Sequence, residues 1–269
     1  MRATARFLLL HLLCSRVSPK DLAAASIPPD VVEACLARGL AMEYSDQLSK
    51  HGRVLQIVKV HAETKELPFF IDMCDERLRR RCRQASSELV VRAVRSGLQR
   101  NSLVHDFTAG LGRDALLLAA AGMQVVMFER NNILYHLLKD ALERLRDADS
   151  PLHSRLTLIY GDASSNLSLG GIPEVVYLDP MYPANEVGRK SNVKKETQIL
   201  HRILEDEGSD DVNNRLLFDR ALESAQQKVV VKRPIHSDPI LRIPPQTAIR
   251  GKNHRTHAIF HLHRIDSSL

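Results

Sequence analysis

Residues 103–129 read LVHDFTAGLGRDALLLAAAGMQVVMFE, and this stretch decides the fold. It predicts a buried strand over Leu103–Phe107, a glycine loop, a helix over Asp114–Ala121 and a second strand over Gln124–Glu129. The same alternation is predicted for the rest of the chain, with helices over Ser87–Ser96, Ile133–Ala148, Lys195–Leu204 and Leu216–Ala225 and strands over Leu156–Tyr160, Val175–Leu178, Lys228–Lys232 and His257–Ile265. Because strands that alternate with helices form parallel sheets, the predicted fold class is α/β, with a doubly wound, mostly parallel sheet.

The residues before position 85 follow a different pattern and predict a small N-terminal α/β appendage. A helix is expected over Pro28–Gly39, and strands are expected over Val54–Val60 and Phe69–Met73. The predicted domain organisation is therefore an appendage over residues 1–84 and a main domain over residues 85–269. Residues 206–214 (DEGSDDVNN) are expected to form a loop, because they are polar and contain turn formers.

Residues 1–20 contain Arg2, Arg6, Arg16 and Lys20 but no acidic residue. This composition is typical of an organellar presequence, and an ordinary first helix packed on the domain fits it equally well. A secretory signal fits less well, because the apolar run is short and no small-residue cleavage site follows it cleanly. The first two alternatives stay open.

Composition restricts the class of protein. The chain has 269 residues, of which 44% are hydrophobic and 26% charged, which excludes collagen-like and disordered proteins. Lys and Arg number 38 and Asp and Glu 32, so the formal net charge is +6, which permits an anionic partner. No stretch approaches the ~20 apolar residues of a membrane-spanning helix, so no membrane partner is predicted.

Cysteine and histidine usage predicts no metal site. The four cysteines form no CxxC pair, so reduced thiols are expected. Zinc ligation by the histidines near the end of the chain is conceivable, but without a Cys pair ordinary strand-face histidines are favoured. These residues are His254, His257, His261 and His263.

The glycine loop has the features of a nucleotide-binding turn. It joins a buried strand to a helix whose first N–H groups are unpaired, and glycines let a ligand approach the backbone closely. Glu129 ends the next strand, where a carboxylate accepts both hydroxyls of a ribose. The candidate cofactor contacts are Asp106, Ala109, Gly110, Gly112 and Glu129. A tight turn beside a solvated acid is the alternative.

The charges around this loop favour S-adenosylmethionine over a dinucleotide. Ala115 occupies the position of the third glycine of the dinucleotide pattern, which that pattern only tolerates. Asp106 at the strand end would repel phosphates but would suit the ammonium group of S-adenosylmethionine. Asp114 at the helix start stabilises the helix through its dipole and is also unfavourable for an anionic ligand.

A second acidic strand end follows the third strand of the repeat. Asp162, Ser164 and Ser165 lie at its carboxyl end, where an acid and two hydroxyls can bind the amine and ring edge of adenine. Asp and Ser are also favoured N-cap residues of helices. The two interpretations are compatible.

Residues 177–183, YLDPMYP, predict the site of the chemistry. A buried strand delivers Asp179, two prolines fix the backbone, and Tyr182 is held between them. The amino nitrogen of a base is a poor nucleophile, because its lone pair is delocalised into the ring. Asp179 and a backbone carbonyl of the turn would accept its N–H groups, and Tyr182 would stack on the flipped base, so both are candidate catalytic residues. A rigid proline-rich turn with a surface tyrosine is the alternative.

Three basic clusters predict contact with RNA phosphates. The residues of these clusters are Arg79, Arg80 and Arg81 within Arg77–Arg83, then Lys190, Lys194 and Lys195 after the YLDPMYP turn, and Lys232 and Arg233 at the end of the last parallel strand. Each of them taken singly is typical of a solvated surface charge.

Six motifs in this order resemble the bacterial small-subunit ribosomal RNA guanine-N2 methyltransferase family. They are DFTAGLGRDALLLAAAG (106–122), FERN (128–131), GDASS (161–165), VVYLDPMYP (175–183), NVKKE (192–196) and VVVKRP (229–234), and the resemblance runs over about two thirds of the chain. It implies a Rossmann-like class I methyltransferase that uses S-adenosylmethionine and is normally cytoplasmic. The cofactor contacts that it implies are Arg113, Asp114, Glu129, Arg130, Ser164, Ser165 and Asp179.

The predicted function is methyl transfer from S-adenosylmethionine to the N2 amine of a guanine in small-subunit ribosomal RNA. The expected partner is that RNA or the assembling small subunit, in the cytoplasm, or in the mitochondrial matrix if residues 1–20 are a presequence. One alternative is methylation of another amine, adenine N6 or a protein side chain. The other is a catalytically silent RNA-binding assembly factor, which the intact Asp179, Tyr182 and glycine loop disfavour.

Overall fold

The computed structural model describes residues 27–46, 52–59, 68–165, 169–180, 199–200, 202–204, 211–233, 246–251 and 258–263. The predictions for residues 1–20 and for Tyr182, Lys190, Lys194 and Lys195 lie outside these ranges. Among the described helices, none is long and apolar enough to cross a bilayer.

A mixed seven-stranded sheet forms the centre of the described structure, with the strand order β5-β4-β3-β6-β7-β9-β8. The strands are β3 (Leu103–Asp106), β4 (Gln124–Glu129), β5 (Leu156–Tyr160), β6 (Val175–Leu178), β7 (Lys228–Arg233), β8 (Thr247–Ile249) and β9 (Ala258–His263). Strands β3 to β7 are parallel, while β9 runs antiparallel to both of its neighbours. The predicted doubly wound, mostly parallel sheet is therefore confirmed.

The helices and a separate hairpin complete the fold. The helices are α1 (Pro29–Ala37), α2 (Glu76–Arg83), α3 (Leu89–Arg95), α4 (Arg113–Ala120), α5 (Asn132–Ala148), α6 (Ser150–His153) and α7 (Asp211–Ser224), with 3-10 turns over Ala85–Ser87 and Ala163–Ser165. Residues 199–200 and 202–203 are also helical. Strands β1 (Leu40–Ser45) and β2 (Val54–Lys59) pair antiparallel in a sheet of their own.

The strand order places a crevice at the carboxyl edge of the sheet. From β3 the chain proceeds through β4 to β5 on one side, and β6 and β7 lie on the other side of β3. The connection that leaves β3 and the one that leaves β6 therefore run in opposite directions along the sheet. Ligands of open α/β sheets bind at the point where the direction of the connections changes. The acids predicted from the sequence, Asp106 and Asp179, come at the ends of these two strands.

Both faces of the sheet are covered by apolar side chains. Leu116, Leu117, Leu137 and Leu138 of α4 and α5 belong to a largely aliphatic core on one face. The other face holds a smaller core, which includes these residues: Phe107, Phe128, Val176, Phe218 and Val229. The central parallel strands are thus buried on both sides, whereas the edge strand β5 is partly exposed.

Several segments differ from the sequence prediction. Phe69–Met73 is not a strand in the structure, since Phe69 forms only an isolated bridge with Ile57. Asp211 starts α7, so the C-terminal part of the predicted loop 206–214 is helical. Strands β1 and β8 were not predicted. The arginine cluster 77–83, to which no structure was assigned, forms α2, whose N-terminus is capped by the Asp75 side chain accepting from the N–H groups of Arg77 and Leu78.

A buried polar network attaches the N-terminal hairpin to α5. Asp140 Oδ2 accepts hydrogen bonds from the Leu55 N–H of β2 at 3.1 Å and from Arg144 Nη2 at 3.0 Å. Arg144 Nη2 also donates to the Ile71 carbonyl. Asp140 and Arg144 are only 8% and 5% exposed. The network therefore connects β2 and the segment around residue 71 to the main sheet's longest helix, while the domain boundary near residue 84 stays a prediction.

We expect Arg144→Met to destabilise the protein strongly. It leaves the buried Asp140 carboxylate without its cationic partner, and breaking a buried ion pair in this way costs about 3–5 kcal/mol. Urea denaturation of this variant and of Arg146→Met measures the effect. Arg146 is the matched control, because its pair with Asp147 is exposed and such pairs contribute about 1 kcal/mol or less. Equal losses in the two variants would contradict the role given to the network.

Candidate active site

Four carboxylates converge on the crevice at the carboxyl edge of the sheet. Asp106 ends β3, Asp114 lies in the first turn of α4, Glu129 ends β4 and Asp179 follows β6. Asp106 is 1% exposed, and this burial raises its pKa to about 8. A hydrogen bond from the Thr108 N–H opposes the shift, whereas the carboxylates of Asp114, Asp179 and Glu129 each add to it. The crevice therefore favours a cationic group beside Asp106.

The glycine loop depends on two residues in left-handed conformations. Gly110 has φ +52° and Gly112 has φ +67°, values that favour glycine. A Cβ atom on Gly112 would collide with Met73 Cε and would lie 2.7 Å from Leu138 Cδ1. A side chain at this position would thus push the loop away from α5 and from the segment that precedes α2.

Glu129 holds the glycine loop in place. Its Oε2 accepts the Gly110 N–H at 2.8 Å and its Oε1 accepts the Asn131 N–H at 2.9 Å. Glu129 is 7% exposed, so these bonds are largely shielded from water. Because a carboxylate oxygen has two lone pairs, the same oxygens can also accept the ribose hydroxyls expected from the sequence. That contact stays a prediction.

Lys232 joins two of the carboxylates. Its Nζ donates to Asp114 Oδ2 at 2.8 Å and to Asp179 Oδ2 at 2.9 Å. Burial alone would lower the pKa of Lys232, but the charges of Asp179 and Asp114 outweigh this effect and hold the pKa above its usual value. Lys232 is thus paired with two acids rather than solvated, and its contact with RNA stays a prediction. The charge of Asp114 is compensated rather than open to repel an anion.

Tyr177 completes the surroundings of Asp114. Its hydroxyl donates to Asp114 Oδ2 at 2.7 Å, and its ring is buried in β6. Burial would raise the pKa of Asp114, but Lys232 and this hydroxyl hold the pKa below its ordinary value. Tyr177 was not predicted as a site residue, although a polar-tipped side chain in an otherwise aliphatic strand was a signal for it.

Thr108 connects the glycine loop to the turn after β6. Its Oγ1 accepts the backbone N–H of Asp179 at 2.6 Å, and its own N–H donates to Asp106 Oδ1 at 3.0 Å. One hydroxyl therefore fixes the position where the chain leaves β6. Sequence reasoning missed Thr108, and its place directly after a strand end was the available signal.

Asp162 caps the 3-10 turn that follows β5. Its Oδ1 accepts the Ser164 N–H at 2.8 Å and the Ser164 hydroxyl at 2.6 Å. Ser165 is exposed at the end of this turn. The capping role foreseen for Asp162 is thus present, and the adenine contacts of these residues stay a prediction.

The predicted RNA contacts divide into two groups. Arg79, Arg80 and Arg81 lie on α2, where Arg81 forms a two-pronged ion pair with Glu88 at 2.8 and 3.0 Å. Helix α2 packs against α4, close enough for Arg81 to lower the pKa of Asp114. In contrast, Arg233 is only 5% exposed, so the structure does not support its prediction as a surface phosphate contact.

The remaining predicted site residues lie at the edge of the crevice. Arg113 and Arg130 are exposed, at the start of α4 and directly after β4, and Ala109 is buried in the loop.

Among the described residues there is no group of three or more His, Cys, Asp or Glu side chains that could hold a metal ion.

Comparisons with known proteins agree with this geometry. The family model described as "Putative SAM-dependent methyltransferase" matches residues 36–260, where SAM is S-adenosylmethionine. The ribosomal RNA small subunit methyltransferase J of Yersinia enterocolitica is 44% identical over 186 residues, which cover 66% of this chain and 69% of the relative. The protein of the same name from Pectobacterium atrosepticum is 42% identical over 185 residues, with coverages of 66% and 71%.

Two further comparisons set the extent of the similarity. A relative of the same name from Coxiella burnetii is 41% identical over 170 residues. The match covers 63% of this chain and 65% of that relative's length. The crystal structure of a SAM-dependent methyltransferase from Neisseria gonorrhoeae superposes with a TM-score of 0.61 at 22% identity, and the match covers 89% of this chain and 93% of that chain. This likeness shows the same fold.

These findings confirm the resemblance seen in the sequence, the class I methyltransferase fold and the expected cofactor. Since the family model matches most of the chain, residues 36–260, this protein belongs to that family of S-adenosylmethionine-dependent methyltransferases and is a relative of the ribosomal RNA small subunit methyltransferases J.

Proposed function

We propose that this protein transfers a methyl group from S-adenosylmethionine to the exocyclic N2 amine of a guanine in small-subunit ribosomal RNA. The observation that carries the proposal is the crevice between β3 and β6, where the buried Asp106 carboxyl lies near Asp179 and the Lys232 ammonium binds Asp179. The names of the relatives support RNA of the small ribosomal subunit as the substrate.

The charges of the crevice support S-adenosylmethionine as the methyl donor. It supplies a methyl group on a positively charged sulfonium, and it carries an ammonium group as well. The buried Asp106 carboxyl gains a favourable interaction when a cation lies beside it, because its ionised form is otherwise disfavoured by burial and by three neighbouring carboxylates. A pyrophosphate would instead add negative charge to the same space.

Asp179 is the residue that we assign to the acceptor amine. Its side chain is 33% exposed, so a ligand in the crevice can reach it, while Lys232 and Thr108 hold the carboxylate and its backbone N–H. An acceptor at the amine N–H groups raises the electron density on nitrogen and fixes its direction of attack. Pro180 is buried and fixes the chain after Asp179. Stacking of the flipped base on Tyr182 belongs to this proposal as well.

The arginine side of α2 supports an RNA partner. Arg77, Arg80 and Arg83 are exposed on this helix, which packs beside α4 and hence beside the crevice. Arginines contact phosphates without reading sequence, so this surface would position the RNA rather than choose the guanine. The named relatives are bacterial, which favours the cytoplasm over the mitochondrial matrix as the compartment and small-subunit RNA or its assembly intermediate as the partner.

The proposal predicts N2-methylguanosine as the product. Purified protein is incubated with labelled S-adenosylmethionine and small-subunit RNA from a strain that lacks the J methyltransferase, and the nucleosides are identified by mass spectrometry. We expect Asp179→Asn to lower turnover about 10²-fold or more, as loss of one positioned polar group does at such sites. Asp147→Asn, at an exposed position on α5, is the control. N6-methyladenosine, or no methylated nucleoside, would refute the assigned substrate.

We expect the affinity for S-adenosylmethionine to increase with pH. The pKa of Asp106 is raised to about 8 in the absence of a ligand, so near neutral pH this carboxyl is mostly protonated. A bound cation favours the ionised form, and binding then releases a proton. The dissociation constant should therefore fall by up to about tenfold per pH unit below pH 8 and level off above it.

Calorimetry at several pH values and in buffers of different ionisation enthalpy measures both the affinity and the proton release. In Asp106→Asn the pH dependence should flatten. The demethylated product lacks the sulfonium charge but keeps the ammonium group, so a pH dependence that arises from the ammonium beside Asp106 should also be seen with the product. An Asp106→Asn variant with the wild-type pH profile would rule out this role for Asp106.

We expect Arg80→Gln to weaken RNA binding in a salt-dependent manner. A residue that neutralises one phosphate contributes about one unit to the slope of log affinity against log salt concentration, so the variant should lose about that amount. Filter binding over a range of salt concentrations measures the slope, and affinity for S-adenosylmethionine should not change. Arg146→Gln, an exposed arginine of α5, is the matched control. Identical slopes for Arg80→Gln and wild type would show that α2 does not contact the RNA.

A further inference from the structure

We propose that Lys232 is a positioning residue of the methyl-transfer reaction, which holds the Asp179 carboxylate ionised and oriented toward the acceptor amine. The inference rests on the proposed function and assigns to that site a residue that the sequence pattern had placed among the RNA contacts. The juxtaposition of one ammonium with two carboxylates from different elements carries it.

The register of the sheet brings Lys232 and Asp179 together. Leu178 pairs with Val231 at the end of the β6–β7 ladder, so Asp179 and Lys232 come one residue later on neighbouring strands. Side chains alternate along a strand, and Lys232 therefore lies on the same face as Val230, the face that also carries Tyr177 and α4. The ammonium thus enters the crevice from a rigid strand with a buried aliphatic core.

Lys232 connects the two sides of the crevice. Asp114 belongs to α4, which directly follows the glycine loop, and Asp179 belongs to the turn after β6. The side chain of Lys232 is 21% exposed, and those of Asp114 and Asp179 are 18% and 33% exposed. An ion pair shielded from water to this degree is stronger than one on the surface, so it fixes the separation between the donor side and the acceptor side.

Within the described part of the chain, charged and titratable groups from five elements interact with Asp106, Asp114 or Asp179. They are Asp106 from β3, Glu129 from β4, Tyr177 from β6, Asp114 from α4 and Arg81 from α2. Three of the five are carboxylates, and without the Lys232 ammonium their repulsion would favour protonation of one of the acids in the crevice. Protonated Asp179 could not serve as a proton acceptor.

The role follows from the balance of the reaction. A bond forms between the amine nitrogen and the methyl carbon while the bond from that carbon to sulfur breaks, and sulfur retains the electron pair and becomes a neutral thioether. The nitrogen then carries a positive charge and must lose one proton. The ionised Asp179 carboxylate accepts that proton, and Lys232 keeps the carboxylate available by binding its Oδ2.

The test compares Lys232→Met and Lys232→Arg with the control Lys139→Met, an exposed lysine on α5. For Lys232→Met we expect kcat to fall about tenfold to a hundredfold while KM for S-adenosylmethionine changes less than about threefold. The acidic limb of the pH–rate profile should move up by about one unit or more, and Lys232→Arg should restore much of the activity. An unchanged kcat with an unchanged acidic limb would overturn the proposal.

Two further measurements separate the alternatives. If Lys232 contacted phosphate, Lys232→Met would weaken RNA binding and reduce its salt slope by about one unit, which would also overturn the proposal. Carbon-13 titration of the Asp114 and Asp179 carboxyl groups requires no RNA, and both should titrate at higher pH in Lys232→Met. If the wild-type protein methylates no guanine, the proposed function is wrong. If the two carboxyl groups titrate at the same pH in Lys232→Met as in wild type, the role of Lys232 is wrong, whatever the substrate is.

Lys232→Met leaves a buried carboxylate without its cation and could lower stability. The double variant Lys232→Met/Asp114→Asn removes that uncompensated charge while Asp179 is kept. Its acidic limb is compared with that of Asp114→Asn alone, because loss of the Asp114 charge by itself favours the ionised form of Asp179. A merely structural role predicts a lower melting temperature with an unchanged acidic limb in both variants, and that result would refute the positioning role.

Discussion

The mutual repulsion of buried carboxylates is the constraint on which the rest of this site depends. Asp106, Asp114, Glu129 and Asp179 share one crevice, and hydrogen-bond donors or a cation stabilise each of them. Thr108 donates to Asp106, the loop N–H of Gly110 donates to Glu129, and Lys232 is shared by the other two acids. Lys232 holds the pKa of Asp114 below its ordinary value, whereas burial raises the pKa of Asp106 to about 8. The unliganded crevice therefore has a residual preference for a cation, which is the electrostatic property that a sulfonium donor requires.

The packing around the glycine loop also determines the position of helix α2. Gly112 admits Met73 and Leu138 at distances that a side chain would not allow, so the segment before α2 lies directly against the loop. Helix α2 begins a few residues later, capped by Asp75, and continues along α4. Residues of the predicted N-terminal appendage therefore lie against the glycine loop and α4 and contribute the exposed arginines of α2. The Asp140–Arg144 network anchors this region to α5.

Local sequence patterns were sufficient wherever burial follows directly from periodicity. The bounds of β4, β5 and β6 agree with the prediction, because short aliphatic runs between turn formers have few alternatives in an α/β chain. The pattern was insufficient for α2, since ERLRRRCR offers only Leu78 as a buried position and its helix depends on packing against α4. The strand predicted over Phe69–Met73 is wrong for the opposite reason. Phe69, Ile71 and Met73 are buried, but the Asp72 side chain accepts the Cys74 N–H and turns the chain away from a strand.

The sequence by itself determined the class of fold, the glycine loop, the acids at the strand ends and the family, because each of these is encoded by residues that are close together in the chain. Only the tertiary structure decided which charges meet. Lys228 and Lys232 occupy the two ends of the run KVVVK, yet Lys228 donates to carbonyl groups of Ala93 and Ser96 at the end of α3, whereas Lys232 binds Asp114 and Asp179. Strand order and register place these partners beside each lysine. Neither is a property of the local sequence, because both arise from long-range packing of the whole sheet.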